Sequence, residues 1–209
     1  SLPVSLVGIP PATGWHFTWN SCCRNGAIIN MSNPLSESMR LTTYFTSDSL
    51  NPNSSASYLS PPVAYLPADT LWSYNPLPFD PDGDSLVWSL VTPLGLTSMV
   101  NGYEYLSDSI YSNPSGIFTL DSITGSLSWS ASLVGNFEAS FLIEEYRNGA
   151  KIGEMRRDMQ FIVVPDTLNS MPQIANMQSV PTNSGGYPYV KINPGQNYQL
   201  HLIANDADV

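Results

Sequence analysis

Apolar and polar residues alternate along this chain far more often than they recur at helical spacing, and period-two alternation marks half-buried strands. Trp15, Phe17 and Trp19 alternate with His16 and Thr18 in GWHFTWN. Met39, Leu41, Thr43 and Phe45 share one face of SMRLTTYF, and Leu86, Trp88 and Leu90 share one face of SLVWSLV. GIFTLD, GSLSWSA, NFEASFLIEEYR and DMQFIVV follow at short intervals, separated by turn formers such as NPNSS, LSPP, DPDGD, SNPSG, ITG, RNG and NSGG. Many short strands with regular turns predict an all-β chain of the sandwich type.

The 18 prolines gather in the breaks. NPNSSASYLSPP (51–62) predicts a linker or long crossover, and VVPDTLNSMPQ (163–173) a domain junction. Beyond it, YVKINPGQNYQLHLIANDADV opens a strand pair, and an isolated hairpin is marginal in water. The stretch before residue 56 has too few strands for a sandwich. The expected organisation is a partial β-sandwich segment at 1–56 carrying CCRN, a complete sandwich at 57–168 and the start of a further module at 169–209. That reads as a slice of a longer chain, with any export signal removed or upstream.

Composition narrows the function classes. Hydrophobic residues make up 42%, enough for a core, and no run approaches the ~18 apolar residues of a membrane span. A net charge of −10 with only 7 Lys and Arg argues against nucleic acid, whose phosphates need basic residues. Low total charge with abundant Ser, Thr, Asn, Pro and Tyr suits a secreted, extracellular β-protein. The 2 cysteines, Cys22 and Cys23, are adjacent. They can close only a small strained ring on each other, not an ordinary loop, and zinc would need ligands elsewhere. A vicinal disulfide, two thiols, or partners outside this stretch all stay open.

The densest acid cluster is FDPDGDSL, with Asp80, Asp82 and Asp84 at alternate positions in a chain only 11% charged. Calcium takes roughly six to eight oxygen ligands, and Gly83 allows the backbone angles of a tight turn around a cation. The loop lacks the closing Glu of an EF-hand and leads into a strand, so further oxygens must come from a neighbouring loop; Glu145 and Asp158 are the candidates. Asp206 and Asp208 in the terminal NDADV repeat the pattern. The competing expectation is a solvated Asp-Gly turn.

Catalytic constellations are not found. His16 and His201 are far apart, and the H-E-x-x-H, G-x-S-x-G and phosphate-loop motifs are missing. Glu144 and Glu145 are neighbours, so on a strand they point to opposite faces and cannot flank one glycosidic bond. Aromatic stacking on sugar is the stronger rival: Trp88 and Trp129 alternate with Ser and point to a core, while Trp72 in LWSYNPL is the best candidate for an exposed ring.

The motif order DPDGDSLVWSL, IFTLDSITGSLSW, then VGNFEASFLIEEYRNGAKIGEMRRDMQFIVV resembles cadherin-like, immunoglobulin-like sandwich repeats of bacterial surface proteins. With WHFTWNSCCRN upstream, residues 15–164 resemble a narrower group: large secreted, gliding-motility-associated surface proteins exported by the type IX route. A cysteine expected near VAYLPADT is replaced by Leu66 and Pro67. Six of the aspartates open a D-S/T-aliphatic triplet, where chance composition gives at most about one. The triplet resembles the O-glycosylation signal of that bacterial group, which implies Ser49, Thr70, Ser85, Ser109, Ser122 and Thr167 as acceptors; turn chemistry accounts for some of them.

Together these imply tandem immunoglobulin-like or cadherin-like modules, one complete and two partial, in a structural and adhesive surface protein. Ca2+ would stiffen its loops. Its partners would be neighbouring modules of the same chain, surface glycans or other cell-surface proteins. The alternatives are a carbohydrate-binding or spacer module of a secreted polysaccharide-degrading enzyme, and a domain that polymerises by strand exchange.

Overall fold

The structure is a computed structural model and describes residues 11, 13–46, 52–165, 172–184 and 188–206. It is all-β. The strands are β1 (Trp15–Ser21), β2 (Met39–Phe45), β3 (Ser57–Tyr58), β4 (Val63–Pro67), β5 (Trp72–Tyr74), β6 (Pro78–Phe79), β7 (Ser85–Val91), β8 (Thr119–Leu120), β9 (Leu127–Trp129), β10 (Gly135–Arg147), β11 (Ala150–Val164), β12 (Gln173–Ile174) and β13 (Ala204–Asn205). Two compact units divide between Pro165 and Asp166.

The first unit is built on a six-stranded sheet ordered β1-β2-β11-β10-β7, with β4 also paired to β11. Its spine is the long β10–β11 hairpin, closed by Asn148 and Gly149, both at positive φ (52° and 79°). That Asn-Gly pair matches the right-handed twist of the strands it joins. Residues 15–45 therefore share a sheet with residues 63–164, on both sides of the boundary expected at 56. The edge of β11 is divided: β2 runs antiparallel along Gly153–Met155, and β4 runs parallel along Gln160–Val164.

Alternation along β10 and β11 decides what each face buries. Phe137, Ala139, Phe141 and Ile143, with Met159, Phe161 and Val163 opposite, bury fully against Trp88, Trp129, Leu66 and Phe118. Trp129 stands edge-on to Phe118, Phe137 and Phe161, and each such side chain contributes roughly 1.5–3 kcal/mol by burial. The three-stranded sheet β5-β9-β8 and the β3–β6 pair supply residues to this core. The opposite face of β10 carries Glu138 and Ser140, both buried. A smaller cluster of Ile28, Met31 and Val100, with Tyr103 against it, packs separately from the main core.

The second unit pairs β12 with β13. Asn176 holds it together locally, donating to His201 O and accepting from Ile203 N–H at 2.7 and 2.9 Å.

Candidate metal centre

The acidic loop joins β6 to β7. Asp80 Oδ1 accepts the backbone N–H groups of Asp82 and Asp84 at 2.9 and 3.0 Å. Gly83 sits at φ 79°, a left-handed conformation that suits a residue without Cβ. The turn gathers the three acids: one carboxylate oxygen from each lies within 4.8 Å of the others, close enough to hold one metal ion. Asp80 is only 9% exposed, and its Oδ2 is buried without a hydrogen-bond partner. A carboxylate oxygen left that way costs free energy unless a cation or donor meets it.

Two further side chains complete the cluster from β10. Arg147 donates to both oxygens of Asp84 at 2.7 Å, through Nε and Nη2, and Nη2 lies 3.7 Å from Asp82 Oδ2. Glu145 is 1% exposed and extends the core face of β10. Its Oε1 accepts Ala56 N–H at 2.8 Å and its Oε2 accepts Asn53 Nδ2 at 3.1 Å. Asp82 Oδ2 accepts Ser54 N–H at 2.6 Å, and Arg147 donates to Pro52 O and Asn53 Oδ1, both at 3.1 Å. The crossover at 52–56 is thus stitched to the acidic loop and its neighbours by polar contacts, while Ala56 joins the main core. Burial pushes the Glu145 carboxyl up, the two hydrogen bonds oppose this, and Asp80 and Asp84 add to the rise. Four carboxylates face one guanidinium, a surplus of three negative charges when all are ionised.

The structure brings Asp80, Asp82, Asp84 and Glu145 together. It does not bring Asp158 to them: Asp158 faces Ser140 in the sheet, five register positions from the Gly153–Glu145 pair. Asp158 Oδ2 instead accepts from Arg24 Nη1 at 3.0 Å, and Arg24 also pairs with Glu138 and donates to Leu94 O at 2.9 Å. Asp206 lies in the second unit, and Asp208 lies outside the described residues. Of the triplet acceptors, Ser85, Ser109 and Ser122 are exposed and Thr70 is half-buried, while Ser49 and Thr167 lie outside the described residues. Asp121 of one triplet uses Oδ1 to accept Ile123 and Thr124 N–H, which is turn chemistry.

Sequence reasoning missed the roles of Arg24, Asn30 and Glu138. Asn30 is fully buried, donating to Glu104 O and Glu138 O and accepting Glu138 N–H, all at 2.9 Å. The signal available was the string CCRN followed by a second Asn. Cys22 and Cys23 are joined to each other as a vicinal disulfide. Trp88 and Trp129 are core residues. Trp72 is half-buried, stacked on Tyr74 with ring centroids 5.4 Å apart and edge-on to Phe161, because its alternation with Ser73 turns it toward the core. Exposed rings lie elsewhere among the described residues, including Trp19 at 55% and Phe17 at 37% on edge strand β1, Tyr65 at 68% on β4 and Phe79 at 59% on β6.

No protein-family model matches the chain, and no curated protein and no solved structure matches it. Among the described residues no helix is long and apolar enough to cross a membrane.

Proposed function

We propose that this chain is a non-catalytic, structural and adhesive part of a large exported surface protein, built from immunoglobulin-like or cadherin-like β-sandwich modules stiffened by calcium. The observation that carries this reading is the surplus acid at residues 80–84 beside a buried, unpartnered Asp80 oxygen. Asp80, Asp82 and Asp84 would hold the ion, with Glu145 behind them. A bound cation would offset the surplus charge and tie the loop to the 52–56 crossover. An all-oxygen, carboxylate-rich set suits calcium better than magnesium, which demands near-ideal octahedral geometry. The motif order supports the surface-protein setting, and the exposure of Ser85, Ser109 and Ser122 supports O-glycosylation there.

Thermal unfolding of the whole chain in calcium and in EDTA tests the reading. At calcium one hundred times its dissociation constant, wild type gains about 2.7 kcal/mol, a rise of roughly 5–10 °C for a chain of this size. Asp82→Asn, which keeps an acceptor for Ser54 N–H but removes a charge, reduces that rise. Equal midpoints in calcium and EDTA would sink the calcium reading.

A carbohydrate-binding module is the second reading, favoured by the alternation of Trp15, Phe17 and Trp19 on one face of β1 with two of the rings exposed. Loss of retention on insoluble polysaccharide in Trp19→Ala, with an unchanged melting temperature, would support it.

A further inference from the structure

Strand β1 is an edge of the six-stranded sheet, and among the described strands it pairs with β2 alone. The unpaired N–H and C=O groups of an edge are a template for another strand, and proteins blunt such edges with Lys, Pro, bulges, short strands or a covering segment. The other edges of this sheet are blunted. β7 donates Trp88 N–H to Ser122 O at 2.8 Å, so the segment between β8 and β9 lies along it. β4 is bracketed by Pro61, Pro62 and Pro67. β1 has none of these devices. Its seven residues run in unbroken register with β2. None of them is Asp, Glu, Lys, Arg or Pro, and His16 to Ser21 are all exposed.

The edge is also apolar on the face that carries the core. Residues opposite one another in a sheet share a face, and the row Phe17–Thr43–Met155–Ile143 runs from β1 to a fully buried side chain. Trp15 and Trp19 lie on the same face as Phe17. Phe17 stacks on Phe45 with ring centroids 5.7 Å apart, yet it remains 37% exposed, and Trp19 55%. The apolar face of the core thus continues to the edge and stands open there.

We propose that β1 pairs antiparallel with β1 of a second copy of this chain, about a two-fold axis at Thr18, joining two sheets into one. The strand's own register selects a second copy as the occupant. A two-fold axis at Thr18 is the one that pairs the whole of residues 15–21: Trp15 with Ser21, His16 with Asn20, Phe17 with Trp19, and Thr18 with its counterpart. Aromatic pairs and Thr–Thr pairs are favourable across strands, whereas like charges opposite one another are not. In a chain of net charge −10, β1 is a seam without a carboxylate. A slip of one residue would send the two sets of rings to opposite faces. The contact is isologous, so it closes at two copies and does not propagate. Aromatic side chains bury about 150–250 Å² each, so the exposed parts of Phe17 and Trp19 supply roughly 200 Å² per copy. A standard stable interface buries about 800 Å² per partner. The dimer is therefore weak and reversible, held chiefly by main-chain hydrogen bonds as in other strand additions. It shares no residue with the acidic loop and does not depend on calcium. A sugar on the β1 rings would occupy the same surface.

Sedimentation equilibrium of the whole chain in EDTA, from micromolar to sub-millimolar concentration, tests this. The expected result is a monomer–dimer equilibrium. Thr18→Lys sets two like charges opposite each other at the axis, on the face away from the rings, and should weaken the dimer by about tenfold or more at an unchanged melting temperature. Thr18→Cys reads the register: on oxidation two copies should join through residue 18, as shown by peptide mass. His16→Cys should not join to itself, because its counterpart lies four residues along, about 14 Å at roughly 3.4 Å per residue, beyond the roughly 7 Å that a disulfide spans between Cα atoms. A monomeric mass at every concentration overturns the dimer, and Trp19-dependent retention of that monomer on polysaccharide would assign the rings to sugar instead. A mass that grows beyond two copies also overturns it. So does a dimer that a folded Thr18→Lys leaves unchanged, and so does cross-linking as efficient through His16→Cys as through Thr18→Cys.

Discussion

Arg147 grips both oxygens of Asp84, through Nε and Nη2 at 2.7 Å each, while Nη1 donates to Pro52 O and Nη2 also donates to Asn53 Oδ1. One side chain therefore joins the acidic loop to the crossover that follows β2. A planar fork with fixed donors suits this better than lysine would. Part of the answer to three acids in five residues is internal: the chain supplies one counter-cation of its own. Arg147→Ala leaves the cluster with four carboxylates and no guanidinium. Charge-assisted hydrogen bonds of this kind are worth about 1.5–3 kcal/mol each when buried. Because Arg147 is partly open to solvent, screening reduces its contribution, and the variant should be less stable than wild type in EDTA by less than buried bonds of this kind would cost. Calcium should restore more stability to this variant than it adds to wild type. Chemical unfolding of both proteins, with and without calcium, measures the difference.

The pH dependence of stability carries a second prediction. Burial, with Asp80 and Asp84 adding to it, raises the Glu145 pKa above its ordinary 4.5. The folded protein then holds this proton more tightly than the unfolded chain does. Glu145 thus contributes stability that is fully present below about pH 4.5 and is lost as pH rises through the elevated value. Glu145→Gln removes the titration. Relative to its own offset at low pH, the variant should gain on wild type as pH rises through that window and level off above it. Urea unfolding of both proteins at several pH values gives the comparison; a parallel pair of curves would contradict the assignment.

The pairing of Arg24 with Glu138 and Asp158 predicts a larger effect. All three side chains are buried, and removing one partner of a buried pair leaves an uncompensated charge, at a cost of about 3–5 kcal/mol. Arg24→Met should destabilise by that order in chemical denaturation. Because the pair connects the CCRN string to β11, loss of protection from hydrogen exchange should concentrate at residues 24–31 and at Glu138.

Much of the fold was legible because its strands carry their own alternation. β1, β2 and β7 to β11 fall where Trp15, Met39, Trp88, Phe118, Trp129, Phe137 and Phe161 recur at period two, and the RNG turn closes the hairpin it marks. The convergence of Asp80, Asp82 and Asp84 was legible too, since Asp80 organises the turn through contacts no more than four positions away. What was not legible is long-range. β4 lies parallel to β11, a pairing that no local signal specifies. Asp158 shares the polarity of a metal ligand, but its partner Arg24 stands 134 positions away, in the loop between β1 and β2, and only the tertiary fold brings that loop to β11. Trp72 looked free because its strand is three residues long. Its burial depends on pairing with Trp129, which a short apolar-polar-apolar run does not announce.

Gly153 offers the last prediction. It lies opposite Glu145 in the β10–β11 register, next to the irregularity between Glu145 and Tyr146. A Cβ at 153 would collide with the Glu145 carboxylate and come within 3.3 Å of Tyr44 O. The glycine is there for space, since the carboxylate must fold over it to reach Ala56 N–H and Asn53. Gly153→Ala should cost about 1–3 kcal/mol by overpacking and should also weaken calcium stabilisation, because the displaced carboxylate no longer supports the loop. The two positions share one cause, so their effects should not add. In a Glu145→Ala background the collision with the carboxylate is gone, and Gly153→Ala should cost at least about 1 kcal/mol less than in wild type, a coupling of the size neighbouring residues show. Full additivity across the four proteins of that cycle would mean that Gly153 serves the backbone of β11 alone and has no part in placing Glu145.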